Sequence, residues 1–576
     1  MFKLLKYLKG SAIICAIIAP IMMFVEVAMD LMQPKIMADI IDIGVGNKNI
    51  AYVLSSGWKM ILVALIGLIG GAGCSVFSSI AAMNLGEKLR QSLFEKIQTF
   101  SFLEIDKFKT SSLITRLTND VTQFQTMFLM ALRIAVRAPL LCIGGIIMAI
   151  SLSRKLSIIF LIVIPLIILS VIVIFAKSFP LFSAVQEKID KINTVMRESI
   201  LGVRVIKAFT IEESQEKRFS NANYDLMQTS IKAQNMNMML WPIVTILMNL
   251  SVIAVLWFGG HLVNNGTLEI GKIMAFINYL IQIMNSLIMV VMLVLNFSRA
   301  KASADRINEV LNTVPSIQDS NSAADMKSFD IEFKNVSFKY SEHSEYVLTD
   351  ISFKIKQGEK VGIIGATGAG KSSLVSLIPR LYDATEGQIL IGGIDVKNIK
   401  LKDLRKNIGV VLQDSILFSG TIEDNLKFGN SNADFETIEN AAMDAQAFEF
   451  IKEKENGYQS IVEQRGKNFS GGQKQRLSIA RTLIRNPKIL ILDDSSSALD
   501  MATEAKLQNA IKKRMRDNTV IIIAQRISAV CDADKIIVLD NGKVSAIGTH
   551  KELLKENEIY RSIAVSQLGE EVLLNA

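Results

Sequence analysis

Gly365-Ala366-Thr367-Gly368-Ala369-Gly370-Lys371-Ser372-Ser373 is the stretch whose reading decides the fold. It follows Val361 to Ile364, a short apolar run that reads as a buried strand. It precedes Leu374-Val375-Ser376-Leu377-Ile378, whose apolar spacing is that of a helix. Strand, glycine-rich turn and helix together are the context a phosphate-binding loop needs. The glycines let the backbone wrap a phosphate with its N–H groups turned inward, and the helix N-terminus adds the positive end of its dipole. In that geometry Lys371 reaches the β- and γ-phosphates of a nucleotide and Ser372 ligates Mg²⁺. A glycine-rich turn with a chance lysine is the competing reading, and the flanking pattern weighs against it.

The 576 residues around this loop are enough for several domains. Half of them are hydrophobic (50%) and only 20% are charged, too apolar for an ordinary soluble chain. The net charge of +8 tells less than its placement. Cys15, Cys74, Cys142 and Cys531 are scattered, three of them in apolar runs, and read as small buried hydrophobes, not as disulfides or a metal site.

Met1 to Gly10 places Lys3, Lys6 and Lys9 among apolar residues, which suits a short amphipathic helix on the inner membrane surface. A signal peptide starts in the same way, but cleavage would remove a span and is not expected. Six apolar segments follow: Ser11 towards Met32, Met60–Met83, about Ile134–Ser153, Leu156–Ala176, one within Ala233–Gly260, and Ile273–Ser298. A spanning helix needs ~20 apolar residues, so most qualify. The third is the weakest, with Arg137 close to its start. Glu26 and Asp30 lie late in the first; they would attract cations if they faced a cavity, and Asp30 is expected in the outer headgroup region.

The loops 84–137 and 177–232 hold eight and nine Lys or Arg, and the N-terminal stretch three more, against six on the opposite side. Both long loops and both termini are therefore expected in the cytoplasm. Gly86–Phe100 and Val185–Lys207 keep helical spacing, so the spans are expected to continue well beyond the membrane and to turn near 102–112 and 208–215. In the sixth segment Met274, Asn278, Gln282, Asn285, Met289, Met292, Asn296 and Arg299 recur at steps of four and three and share one helix face. Polar groups facing lipid are costly, so this face looks inward. It reads either as the wall of a substrate cavity or as interhelical packing.

The second half is an α/β domain. Ile331 to Tyr340 alternates like a half-buried strand, Lys488-Ile489-Leu490-Ile491-Leu492-Asp493-Asp494 is a buried strand ending in two carboxylates, and Thr519–Ala524 is another that ends at Gln525. Asp540-Asn541-Gly542 is a hairpin signal. The expected organisation is an α-helical transmembrane domain of six spans over 1–310, a linker over 311–328, and an α/β P-loop nucleotide-binding domain over 329–576.

Phe469-Ser470-Gly471-Gly472-Gln473 lies about a hundred residues after the P-loop, just before the acid-ended strand. It resembles the signature motif of ATP-binding cassette proteins, with Phe in place of the usual Leu. The rest of that family's set follows in order: Tyr340 matches the aromatic that stacks on adenine, Gln413 the Q-loop, Asp493 the acid that holds Mg²⁺, and Ser497-Ala498-Leu499-Asp500 the D-loop. Spans plus one cassette resemble a multidrug-type half-exporter over essentially the whole chain. The resemblance implies ATP and Mg²⁺ as ligands. ATP is held by Tyr340, Gly365, Thr367, Gly368, Ala369, Gly370, Lys371, Ser372, Ser373 and Gln413; the metal is held by Ser372, Gln413 and Asp493. It also implies that Ser470, Gly471, Gly472 and Gln473 act on a second subunit's ATP, and that the turns near 102–112 and 208–215 couple cassette closure to the spans. The implied surroundings are the cytoplasmic membrane and a small amphipathic substrate, with no nucleic acid.

Two positions depart from the pattern. The family usually has Glu after Asp493, polarising the attacking water; here it is Asp494, whose carboxylate falls short by up to ~1.5 Å, one C–C bond. A displacement of that order costs ~10²-fold in rate. The usual switch histidine is Gln525, which donates a hydrogen bond but carries no proton charge. Together they suggest a slow site, and hence a heterodimer with a homologous half-transporter that carries Glu and His. A membrane regulator or channel gated by ATP binding is the competing class, and a homodimeric exporter with a working Asp is a third reading. Met-rich, weakly charged spans favour amphipathic or lipophilic cargo. The lack of a peptidase-like stretch before the spans argues against a leader-cleaving peptide exporter.

Overall fold

The computed structural model describes residues 1–319 and 326–569, without the side chains of Phe2, Met292, Leu295 and Leu568. Part of the expected linker therefore lies outside the described residues. The chain forms two compact units, one of Met1–Gln98 with Ser111–Thr313, the other of Thr99–Thr110 with Val314–Ala576.

In chain order the helices are α1 (Ser11–Asp39), α2 (Ile50–Gln98), α3 (Phe102–Phe108), α4 (Thr110–Thr115), α5 (Val121–Leu152), α6 (Ile158–Leu201), α7 (Val203–Phe209), α8 (Glu212–Met238), α9 (Leu240–Asn264) and α10 (Ile270–Asn312). Among the described residues six helical stretches are long and apolar enough to cross a membrane, one for each expected segment. The 49 residues of α2 reach ~74 Å at 1.5 Å per residue, more than twice a hydrocarbon core of ~30 Å. Spans and cytoplasmic extensions are thus continuous helices.

Glycine sets how closely α1 meets α2. A Cβ on Gly70 would stand 2.9 Å from the Met22 carbonyl oxygen and the Glu26 nitrogen, so only a residue without one fits. Glu26 and Asp30 of α1 both ion-pair with Arg137 of α5, at 3.0 Å for Asp30 Oδ2. The arginine that weakens the third segment as a span is thereby partnered. Asp30 is not at a helix end: α1 continues to Asp39, and Asp30 pairs with Arg137. Arg133 and Arg137 likewise sit on the spanning helix and not in a loop; the charge bias across the membrane holds without them.

The core of this unit gathers α5, α6, α9 and α10 around Phe276, Tyr279, Leu280 and Ile283, with the Tyr279 hydroxyl donating to the Leu31 carbonyl at 2.7 Å. Near its polar end, Asp120 accepts from Arg306 Nε at 2.7 Å and from Ser303 Oγ at 2.9 Å, and Arg116 pairs with Glu309 at 2.8 Å. Asp120 closes a π-helical stretch, Arg116–Asp120, that leads into α5. In the first half of α10 the buried residues include Ala275, Phe276, Tyr279, Leu280, Ile283, Met284 and Ser286, while Met274, Asn278 and Asn285 are exposed and Gln282, Met289 and Asn296 half-buried. Met274, Asn278, Asn285 and Arg299 of the polar and methionine stripe are turned away from this unit's core, while Gln282 buries its amide oxygen; the side chain of Met292 lies outside the described residues.

The second unit carries two sheets. A parallel sheet with one antiparallel edge runs in the order Lys543–Gly548, Lys535–Asp540, Lys360–Ile364, Thr519–Ile523, Ile489–Asp493, Ile408–Val411. Its central strands are buried throughout, as a sheet covered on both faces requires. The edge pair turns at Asn541 (φ 45) and Gly542 (φ 75), the two positive values of a type I′ hairpin. A four-stranded antiparallel sheet begins with Ile331–Phe338. The short helix α3 belongs to this unit: Phe102 packs on Tyr382 at 5.9 Å between ring centroids, and the Tyr382 hydroxyl donates to Asp106 at 2.9 Å.

Candidate functional site

Four adjacent parallel strands bring the predicted residues together. Lys360–Ile364 leads into the P-loop, Thr519–Ile523 towards Gln525, Ile489–Asp493 ends in Asp493 and Asp494, and Ile408–Val411 leads to Gln413. Ligands of open α/β sheets bind at the carboxyl ends of such strands. A cleft of about 320 Å³ opens there, lined by Thr367, Gly368, Gly370, Lys371, Ser372, Ser373, Gln413, Asp493, Asp494 and Gln525, with Val347 and Ile523. Gly365 and Ala369 are buried beneath it.

The loop has the shape a phosphate cradle needs. Gly368 (φ 88) and Gly370 (φ 93) take backbone angles that side chains rarely adopt, and a Cβ on Gly365 would strike the Leu539 carbonyl. Lys371 Nζ donates to the carbonyls of Gly365 and Ala366, both at 2.8 Å. Burial lowers the Lys371 pKa, and the carboxylates of Asp494 and Asp493 oppose that shift.

Ser372 Oγ donates to Asp493 Oδ1 at 3.0 Å, so a hydroxyl and a carboxylate oxygen converge at the mouth of the loop. Oxygen donors of this kind fit Mg²⁺. Burial raises the Asp493 carboxyl above the usual carboxylate range; Asp494 adds to the rise, while the Ser372 hydrogen bond and Lys371 oppose it. Asp494 is the meeting point of the two glutamines: Gln525 Nε2 donates to its Oδ2 at 3.0 Å, and Gln413 Nε2 lies 3.4 Å from the same atom. Burial also raises the Asp494 carboxyl, against the pull of Lys371 and Gln525. Its backbone is left-handed (φ 46), a conformation a short aspartate tolerates.

Tyr340 stands beside the cleft, its hydroxyl 2.8 Å from Ser373 Oγ and its ring edge-on to Phe338 and Tyr382. Ser470 to Gln473 do not line the cleft. Ser470 caps the helix Gly471–Ile484 in a reciprocal box with Gln473, and Ser470 and Gly471 are exposed. Three contributors were not singled out from sequence. Gln475 is buried and holds the D-loop through Ser497 Oγ (3.3 Å) and the Ala498 N–H (3.2 Å). Arg526 donates to the Ser497 carbonyl at 3.2 Å. Glu104 closes a capping box with Ser101, legible as Ser-x-x-Glu, and accepts from the Ser316 N–H at 3.0 Å.

Residues 16–287 match the family model described as ABC transporter transmembrane region, and 348–497 the one described as ABC transporter. An uncharacterized ABC transporter ATP-binding protein of Bacillus subtilis, YfiB, is 42% identical over 99% of both chains. An ATP-dependent lipid A-core flippase of Syntrophus aciditrophicus is 33% identical over 89% of this chain and 87% of its own. The solved structure of a bacterial Atm1-family ABC exporter with ATP bound superposes with a TM-score of 0.81 at 25% identity, covering 97% of this chain and all of that one. With six spans, a P-loop cleft and this likeness over nearly its full length, the chain belongs to the ATP-binding cassette transporter family, as an exporter subunit of the cytoplasmic membrane whose cytoplasmic nucleotide-binding domain couples ATP hydrolysis to transport.

Proposed function

We propose that this chain is one half of a heterodimeric exporter of amphipathic or lipophilic compounds, with a slow ATP site of its own and a signature motif that completes its partner's site. The observation that carries this reading is the pairing of Asp494 with Gln525 inside a cleft where Lys371, Ser372, Gln413 and Asp493 are all in place. The binding groups are retained and the hydrolytic pair is altered. Ser470 and Gly471 are exposed and away from the chain's own cleft, as expected of groups that serve another subunit's nucleotide. Helix α7 supports a partnered state as well: Val203, Val205 and Phe209 are exposed apolar residues.

ATP would rest on the P-loop backbone with its adenine near Tyr340, and Lys371 would exchange the Gly365 and Ala366 carbonyls for phosphate oxygens. Ser372 and Asp493 would hold Mg²⁺, which neutralises phosphate charge when bound. The exposed Met274, Asn278, Asn285 and Arg299 of α10 support a cavity wall that suits adaptable, weakly polar cargo.

A homodimeric exporter is the second reading, favoured by one observation: the Asp494 carboxylate still lies in the cleft, in reach of Gln413 and Gln525. Inverted membrane vesicles carrying this chain alone, or together with a homologous half-transporter that has Glu and His, separate the two. Nucleotide-driven dye uptake with both chains only supports the heterodimer. A stable homodimer with brisk ATP hydrolysis and uptake overturns it, and binding-gated ion flux without uptake would point to a channel.

A further inference from the structure

The last described helix, Glu558–Leu568, packs on the nucleotide-binding domain. Asn557 caps it, its side chain accepting from the Tyr560 N–H at 2.8 Å. Tyr560, Ile563, Ala564 and Gln567 follow at steps of three, one and three, so they share one face of the helix. Tyr560 and Ala564 are buried in the domain core, Ile563 packs against it, and the Tyr560 hydroxyl lies 2.6 Å from His550 Nδ1. Gln567 closes this apolar face with a polar group.

That group meets the segment after the strand Thr519–Ile523. The strand stays paired up to Ala524, whose N–H donates to the Ile363 carbonyl at 3.3 Å. Beyond it, Gln567 Nε2 donates to the Gln525 carbonyl at 2.7 Å, and Gln567 Oε1 accepts from the Ile527 N–H at 2.8 Å. Arg526, between the two, is extended (φ −99, ψ 133), so this carbonyl and this N–H point to the same side. One primary amide fills both, as a residue of a neighbouring parallel strand would. The amide can face only one way, because the carbonyl needs a donor and the N–H an acceptor. The side chains held by this backbone both reach the site: Gln525 Nε2 donates to Asp494 Oδ2 at 3.0 Å, and Arg526 donates to the D-loop carbonyl of Ser497 at 3.2 Å.

We propose that Gln567 is a positioning residue for ATP hydrolysis, its amide clamping the Gln525–Ile527 backbone so that Gln525 is aimed at Asp494 and Arg526 at the D-loop. Turnover then depends on the seating of the helix Glu558–Leu568. Nucleotide binding rests on the P-loop, Ser372 and Asp493, away from these two hydrogen bonds, so the clamp acts on rate and not on affinity. The proposal rests on hydrolysis at this chain's cleft and is independent of whether the partner is a second copy or a homologue.

Single-turnover hydrolysis of radiolabelled ATP by excess full chain in phosphatidylcholine nanodiscs reads even a slow site. Gln567→Met keeps the length and helix propensity of glutamine and loses both hydrogen bonds. It is expected to slow hydrolysis by about 10- to 10²-fold while trinitrophenyl-ATP affinity, which also shows that the variant is folded, stays unchanged. Gln567→Glu, which sets a carboxylate against the Gln525 carbonyl, is expected to fall at least as far. Ser566→Ala, at an exposed neighbouring position of the same helix, is expected to keep the natural rate. Because the clamp holds backbone, Gln567→Met is expected to cost the same factor beside Asp494→Glu with Gln525→His. Amide hydrogen exchange at Ile527 is expected to quicken in Gln567→Met. An unchanged rate, unchanged exchange at Ile527, an equal loss in Ser566→Ala, or weakened ATP binding in place of slowed turnover overturns the proposal. A lower melting temperature at an unchanged rate would mean that Gln567 only seats the helix, and overturns it too. No hydrolysis in either background overturns turnover at this cleft and the proposal with it. Brisk hydrolysis by the natural chain that Gln567→Met slows counts against the slow-site reading and leaves the clamp standing.

Discussion

Gln525 Nε2 donates a 3.0 Å hydrogen bond to Asp494 Oδ2, joining the ends of two adjacent parallel strands at the mouth of the P-loop cleft. A glutamine amide in this place holds the carboxylate and carries no proton charge. The carboxylate is also shorter-reaching by ~1.5 Å than a glutamate would be.

Asp494→Glu together with Gln525→His should raise steady-state ATP hydrolysis of the chain alone in lipid by ~10²-fold. Asp494→Glu by itself should gain less, because the left-handed backbone at this position (φ 46) suits aspartate better than glutamate. Brisk turnover by the natural chain would mean that Asp494 suffices, and the case for a partner would lose its main support.

Burial keeps the Asp493 carboxyl above its ordinary value of 3.8, with help from Asp494. A proton therefore competes with Mg²⁺ at higher pH than for an exposed aspartate. The Mg²⁺-dependent part of ATP affinity should weaken on acidification before the usual carboxylate range is reached, and recover as pH rises. Asp493→Asn should remove both the Mg²⁺ dependence and its pH dependence. Titrations of a fluorescent ATP analogue with and without chelator, across pH, check this.

Glu104 is buried, and although burial pushes its carboxyl up, hydrogen bonds from Ser101 and Ser316 hold it below the ordinary 4.5. A depressed carboxyl stabilises the fold above its unfolded value, and that contribution is lost as pH falls through the lowered one. Glu104→Ala should cost ~1–3 kcal/mol by leaving N–H donors without partners. It should loosen α3 while ATP binding persists; thermal melting and substrate uptake, measured together, read both effects.

Asp120 is almost fully buried and holds Arg306 and Ser303. Asp120→Ala strands the arginine, a change worth ~3–5 kcal/mol for a fully buried pair. Arg306 keeps about half its side chain in water (48% exposed), so the loss should lie near the lower end. Asp120→Asn should retain the Ser303 contact and lose less. Thermal unfolding in detergent ranks the two.

The local chemistry was legible along the chain. Gly365 to Ser373 announces a phosphate loop because glycine spacing, lysine and hydroxyl must be contiguous to wrap one phosphate. The spans are legible because a helix must satisfy its own backbone over ~20 apolar residues. Asn541-Gly542 reads as a hairpin because two positive φ values need those residue types. Gln413, Asp494 and Gln525 were each legible by motif, but their contact was not. Only the register of three parallel strands places their carboxyl ends side by side. Arg137 looked like a flaw in a span because its partners lie 111 and 107 residues away on α1. What brought them together is the packing of α1 against α5, a distance between helices that no linear pattern of charge or hydropathy encodes. Sequence determined the phosphate loop, the spans and the presence of Asp494 and Gln525 after two of the strands; tertiary structure decided which charges are paired, because pairing depends on distances between helices and not along one.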